Sequence, residues 1–485
     1  MINSTRRAHT VGVCCLLAFG LLAGTSATAA KKSNGNSTGG SNTPYTDYPA
    51  LIGADQLHTD GVTGYGVTVA VLDTGHSAFS SQERNTTNDY RMLAHYDAIK
   101  NKMLRKESDG NGHGSHVSAV IVNSAANGLD GRFNGVAPDA DLVAVKAFDE
   151  LGQGTYSDVI RGIDWIVAHR DTYGIRVLNL SFSAPPQSNY WDDPLNQAVM
   201  AAWQAGIVVV ASAGNTGPDP MTIGAPGNVP YVITVGAMTD NLTPGNGADD
   251  LLASFSSAGP TVEAFIKPEV VAPGGHMLAM MPSDMVLALD HPEFHDAGEY
   301  FVMSGTSQAA AVVSGAVALL LQADPSLSPD DVKCRLMASA KPAVTEDGTL
   351  AYSVFQQGTG MINAYGAVHS AATGCANQGL EIDLDLAGIE HYAGLARQAE
   401  DGTYHILGPD GFVWSDGFVW SDGFVWSDGF VWSDGFVWSD GFVWSDGFVW
   451  SDGFVWSDGF VWSDGFVWSD TLTEPASINV WVEQE

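Results

Sequence analysis

The chain alternates between two hydrophobic patterns from about residue 48 to residue 376. Short, nearly continuous apolar runs recur at 67–72, 142–145, 177–180, 207–211 and 232–235. Runs of that length without polar alternation read as strands buried on both faces. Helical periodicity fills several of the gaps, for instance over 156–169 and 193–205. Strand–helix–strand repetition predicts an α/β fold, a parallel sheet with helices on both faces in three layers. A further stretch, 302–321, runs from Val-Met-Ser-Gly-Thr-Ser through small residues into Leu319-Leu320-Leu321. It predicts a long core helix whose first turn carries hydroxyls and allows close approach.

The ends of the chain follow other patterns. Residues 1–30 combine Arg6 and Arg7, a twelve-residue apolar run at 11–22 and a small-residue site near Ala27-Thr28-Ala29. This is the pattern of a secretory signal peptide, and the run is too short to span a membrane comfortably. The mature product is then expected outside the cytoplasm, extracellular or periplasmic, with no membrane span. Residues 31–47 begin as a Ser/Gly/Asn-rich flexible linker. After the globular domain at 48–376, residues 377–410 read as a connector. Residues 411–470 then repeat Gly-Phe-Val-Trp-Ser-Asp ten times, and 471–485 form a C-terminal tail. The β-prone tetrad and the Asp-Gly turn predict a β-type hexapeptide repeat tail, either a meander of short strands or a solenoid. Its aromatic ladder would suit adhesion to a polymer or surface. On that alternative reading the tail is the functional part and the globular domain its carrier. A variable-length spacer is the plainer reading.

Composition narrows the partners. Twenty Lys and Arg stand against 55 Asp and Glu, a formal net charge of −35. Such a surface argues against nucleic acid and anionic lipid. Cys14 and Cys15 lie in the leader, so Cys334 and Cys375 remain, an even count in an oxidising compartment. A disulfide between them is expected, against two free buried thiols.

Three strand or helix ends carry candidate chemistry. Asp73 ends the first apolar run, His113 opens a helix after Asp109-Gly110-Asn111-Gly112, and Asn215 closes Ser212-Ala213-Gly214. Ser307 lies at the start of the long helix. A nucleophile, a base, a carboxylate to orient it and a donor for an oxyanion are the parts of an acyl-transfer site. The chain order is Asp, His, Ser, one of three orders known for that geometry. At these residues the sequence resembles the subtilisin-like serine protease family (subtilases, peptidase family S8), in its bacterial alkaline protease branch. The matching text is Val69-Ala70-Val71-Leu72-Asp73-Thr74-Gly75, His113-Gly114-Ser115-His116-Val117, Ser212-Ala213-Gly214-Asn215 and Gly305-Thr306-Ser307-Gln308-Ala309. Gly135-Val136-Ala137-Pro138 and residues 267–274 support it.

The resemblance implies a serine endopeptidase acting on proteins and peptides. Ser307 would be the nucleophile, His113 the base, Asp73 its orienting partner and Asn215 an oxyanion donor, with His116 structural. It further implies that Gly152, Gly154, Ser181, Phe182 and Ser183 lie on two edges that clamp a peptide as an added strand. Gly224 would wall a primary pocket for large apolar side chains, and Tyr156 the rim of a more distant one. No cofactor is needed for the chemistry. Structural calcium is implied by the resemblance alone, with acidic loops at 240–250 and 284–299 as candidates and no EF-hand spacing. Ser115 and Gln308 replace the usual Thr and Met. Only about twenty residues precede the domain after Lys31, too few for a folded propeptide domain. A monomer is expected.

Overall fold

The computed structural model describes residues 44–106, 109–243, 249–345, 349–399, 402–406, 475–479 and 481–482. The expected signal peptide and the hexapeptide repeats lie outside the described residues. In chain order the strands are β1 (Thr68–Asp73), β2 (Met92–Asp97), β3 (Lys102–Met103), β4 (Asp141–Lys146), β5 (Gln153–Thr155), β6 (Ile175–Leu180), β7 (Phe182–Ser183) and β8 (Val208–Ser212). They continue with β9 (Ile233–Thr239), β10 (Leu251–Leu252), β11 (Val270–Pro273), β12 (Met277–Met280), β13 (Tyr300–Met303), β14 (Ala396–Gln398), β15 (Tyr404–Ile406) and β16 (Pro475–Ile478).

The central sheet has the order β10-β9-β8-β6-β1-β4-β2-β3, with β11 also paired to β9. Its inner pairings are parallel, as the buried runs predict. All six residues of β1 and all seven of β9 are buried. The edges differ from the expected all-parallel sheet. The two-residue strands β3 and β10 add antiparallel, so the sheet is mixed. Strands that short leave no periodic signal in a sequence. They also narrow the exposed edge that a longer strand would leave open to pairing.

Helices cover the sheet in layers. The His113–Val122 and Thr306–Ala323 helices pack on each other and on the sheet, and the Tyr156–Ala168 and Pro194–Gln204 helices form a second such pair. The second pair starts with strong local signals. Thr155 and Asp158 form a reciprocal capping box, and Asp193 accepts from Leu195 and Asn196 N–H with Pro194 in the first helical position. Each such cap contributes about 1 kcal/mol. The Thr306–Ala323 helix is apolar and long enough to cross a membrane, yet it is 89% buried in the body of the protein. It is the core helix, in contact with β1, β6, β8, β9 and β11.

Two segments outside the regular strand–helix pattern are docked. Near the N-terminal side, Thr46 donates to the Asn134 carbonyl and Asn134 donates to the Pro44 carbonyl. In the expected connector, the Ile382–Leu386 helix packs on the Pro194–Gln204 helix. There the buried Asp385 accepts from the hydroxyls of Tyr190 at 2.6 Å and Tyr231 at 2.9 Å. Cys334 and Cys375 are joined by a disulfide.

Candidate active site

β1 delivers Asp73 to the C-terminal edge of the sheet, where open α/β sheets gather their ligands. Its carboxylate is fully buried and faces His113 Nδ1 at 2.8 and 3.0 Å. Thr74 N–H donates to the same carboxylate at 2.7 Å. His113 opens its helix behind Gly112. The next residue, Gly114, could carry no side chain: a Cβ there would lie 2.3 Å from the Gly75 carbonyl oxygen. That contact locks the helix start against the strand end and sets the His–Asp distance.

Asp109 organises the loop before this helix. Its carboxylate accepts from the N–H groups of Asn111, Gly112 and Ser115 and from the Ser115 and Thr74 hydroxyls. Thr74 Oγ1 in turn accepts from Gly114 N–H. Sequence reading overlooked both residues as parts of the site. The only signal was an Asp ahead of a Gly-Asn-Gly turn, which reads as an ordinary cap. The Ser115 hydroxyl keeps the 2.6 Å bond to Asp109 that its place in the loop calls for.

His116 lies one turn on and faces away from this pair. Its Nε2 lies 3.1 Å from both the Met277 and Phe301 carbonyls. Burial holds its pKa down, to about 4, against the pull of those carbonyls. A neutral ring tied to β12 and β13 is a structural element.

Ser307 sits in the first turn of the Thr306–Ala323 helix, near the unpaired N–H groups and the positive end of the dipole. Thr306 orients Asn215: both its N–H and its hydroxyl donate to Asn215 Oδ1, at 3.0 and 2.8 Å. The amide oxygen is thus fixed on the protein, which turns the amide nitrogen outward. His113, Asn215, Ser304, Ser307 and Gln308 all line one cavity of about 330 Å³. The Ser307 hydroxyl donates to the Ser181 carbonyl at 3.0 Å. Among the described residues it has no hydrogen bond to His113.

The residues expected to clamp a peptide lie around this cavity, Gly152 among its lining. Ser181 Oγ donates to the Ser307 carbonyl, and Phe182 is buried against Phe148. β5 and β7, with Gly154 and Ser183, hold a third antiparallel strand between them, and that strand is β16 of the same chain. Gly152 accepts from Ile478 N–H at 3.0 Å. Gly224 and Ser183 line an adjoining cavity of about 380 Å³. Tyr156 stands apart from the other predicted subsite residues: it is buried beneath the cleft, its hydroxyl 3.3 Å from Asp193 Oδ2.

The candidate calcium loops show no cation site among the described residues. Asp240 is paired with His276, and Asp296 accepts from Gly298 and Tyr300 N–H. Part of the 240–250 loop lies outside the described residues. Among the described residues no three metal-ligating side chains converge.

Comparison with known proteins bears on this geometry. Residues 64–366 match the Subtilase family. The chain is 37% identical to serine protease AprX of Bacillus subtilis (strain 168) over 312 residues, 63% of this chain and 67% of that protein. It is 34% identical to subtilisin DY of Bacillus licheniformis over 319 residues, 65% of this chain and 96% of the other. Among solved structures it is similar to fervidolysin from Fervidobacterium pennivorans, described as a keratinolytic enzyme related to subtilisin. That likeness has a TM-score of 0.52 at 25% identity and covers 68% of this chain but less than half, 46%, of fervidolysin.

Proposed function

This chain belongs to the subtilase family of serine proteases, and on that premise we propose that it is a secreted endopeptidase working through Ser307, His113, Asp73 and Asn215. The observation that carries the assignment is the buried His113–Asp73 pair, whose histidine lines the same cavity as Ser307 and Asn215.

The chemistry follows from the positions. Asp73 holds the proton on His113 Nδ1, which leaves Nε2 as the base. Ser307 Oγ attacks the scissile carbonyl carbon while its proton passes to His113. The carbonyl oxygen becomes an oxyanion, held by the Asn215 amide and the Ser307 N–H at the helix start. His113 then gives its proton to the departing amine, and the C–N bond breaks. Water then attacks the acyl-Ser307 ester while His113 again takes a proton, and His113 returns that proton to Ser307 Oγ as the ester bond breaks and the acid product leaves. No cofactor enters any step.

Backbone pairing at β5 and β7 supports broad specificity, since main-chain hydrogen bonds read no side chain. A preference for large apolar residues before the scissile bond rests on Gly224. Gly224 lines the 380 Å³ cavity without a side chain of its own, and its close packing on Ser183, 2.8 Å from where a Cβ would lie, leaves no room for one. Secretion rests on the residue pattern at 1–30.

The test is hydrolysis of matched chromogenic peptides with Phe or Lys before the scissile amide. Wild-type protein should cleave the Phe peptide faster, and Ser307→Ala should cleave neither. Equal cleavage by Ser307→Ala would remove Ser307 from the mechanism. Equal rates on the two peptides would remove the apolar preference alone.

A further inference from the structure

The strand that fills the clamp is not substrate but the end of the chain itself. β16 lies antiparallel between the two edges, with Ala476 opposite Gly154, Ser477 opposite both Gln153 and Ser183, and Ile478 opposite Phe182. Ile478 also packs its side chain where Gly152 lacks one: a Cβ on Gly152 would be 2.7 Å from Ile478 Cδ1.

The next residue reaches the nucleophile. Asn479 is buried, and its amide nitrogen donates to Ser307 Oγ at 2.9 Å and to Ser212 Oγ at 2.9 Å. Its amide oxygen accepts from Ser183 Oγ at 2.7 Å. Beyond it, Trp481 stacks on His291 with ring centroids 3.8 Å apart and packs near Phe294 and Phe301. The segment therefore runs past Ser307, anchored by a strand on one side and by an aromatic cluster on the other.

We propose that the C-terminal segment from Pro475 onward is a tethered competitive inhibitor of the chain's own substrate cleft, an inference that rests on the protease reading above. Two features point to inhibition rather than cleavage. The group set against the Ser307 hydroxyl is the nitrogen of a side-chain amide, which donates to the oxygen that must attack and presents no carbonyl carbon to it. The Ser307 proton meanwhile goes to the Ser181 carbonyl, not to His113. Connection also favours the arrangement. Residues 407–474 join the segment to the body. Sixty-eight residues can extend to about 220 Å, which exceeds any span the segment needs to cover. Binding within one molecule then proceeds at an effective concentration set by the tether, so a weak contact can hold.

The experiment compares full-length wild type with full-length Ile478→Pro, which loses the N–H that Gly152 accepts. Ile478→Pro should hydrolyse a short chromogenic peptide at least tenfold faster at low substrate. A synthetic peptide of residues 474–485 added to that variant should restore inhibition, raising KM and leaving kcat unchanged. Equal rates for the two proteins, with no inhibition by the peptide, would overturn the proposal and leave the protease reading intact. Rapid hydrolysis of the peptide as an ordinary substrate would also overturn it. Should neither protein turn over substrate, the protease reading fails separately. Anisotropy of the fluorescein-labelled peptide on Ser307→Ala carrying Ile478→Pro then decides: saturable one-to-one binding supports the proposal, and no binding overturns it.

Discussion

Asn215 and Asp109 illustrate how differently two buried polar residues act around the proposed catalytic site. Asn215 is held through its amide oxygen by Thr306, so its nitrogen is a donor positioned before reaction. Removing one such donor generally costs on the order of 10²–10³ in kcat. Asn215→Ala should show that loss in kcat with little change in KM, and near-wild-type turnover would take it out of the role. Asp109 touches no reacting atom. It gathers five donors around the start of the His113 helix, and Asp109→Ala would strand several of them in a buried loop. That substitution should destabilise the fold by at least ~2 kcal/mol in denaturant unfolding; an unchanged midpoint would contradict it. Asp73, His113, Ser307 and Asn215 were all legible as residues because each lies at a strand end or helix start within a distinctive local run. Asp109 and Thr74 were not, since their role depends on hydrogen bonds that join segments 35 and 40 residues apart. Asn479 was invisible for the same reason, on a far longer scale.

The buried parallel strands were the easiest elements to read, because a strand covered on both faces must be apolar throughout. β2 escaped notice: its sequence Met-Leu-Ala-His-Tyr-Asp is polar in part and exposes Leu93. The clamp strands β5 and β7 are three and two residues long and carry no periodicity. They could be placed only by family resemblance. Residues 377–399 looked like a connector because their packing rests on a five-residue helix and scattered contacts, such as the buried Asp385 carboxylate and the His391–Trp191 stack, too short for a periodic signal. The Cys334–Cys375 disulfide ties the chain just ahead of that region to the Pro329–Ser339 helix across a separation of 41 residues. On the chain-entropy account a loop of this size contributes about 4 kcal/mol. Replacing both cysteines by Ser should lower stability by a comparable amount in chemical denaturation. A loss below ~1 kcal/mol would mean that the unfolded chain is already constrained there.

Charge and protonation act on the molecule as a whole. His76 and His116 are both fully buried, and burial lowers their pKa values, to about 3 and about 4. The neighbouring His95 adds to the effect on His76. Their unfolded value is near 6.5, so below that pH the unfolded chain binds more protons than the folded one. Stability from these residues is therefore complete above pH ~6.5 and is lost as pH falls through 4 and toward 3. Among the described residues His76 has no hydrogen-bond partner at either ring nitrogen. His76→Leu should flatten the acid limb of a stability–pH curve measured by denaturant unfolding; an unchanged limb would contradict the assignment. The net charge of −35 predicts a salt effect of the opposite kind. Raising NaCl from 0.1 to 1 M shortens the screening length from ~10 to ~3 Å and should raise Tm, whereas a fall would show that attractive pairs dominate.

The most direct test of the central claim is covalent labelling of the nucleophile. A fluorophosphonate is applied to full-length wild type, Ile478→Pro and Ser307→Ala, and the adduct is located by peptide mass spectrometry. A single adduct on Ser307, present in the first two proteins and absent from the third, is the predicted result. No adduct in either of the first two proteins, or an equal adduct in Ser307→Ala, would contradict the assignment of Ser307 as the serine that forms the acyl-enzyme.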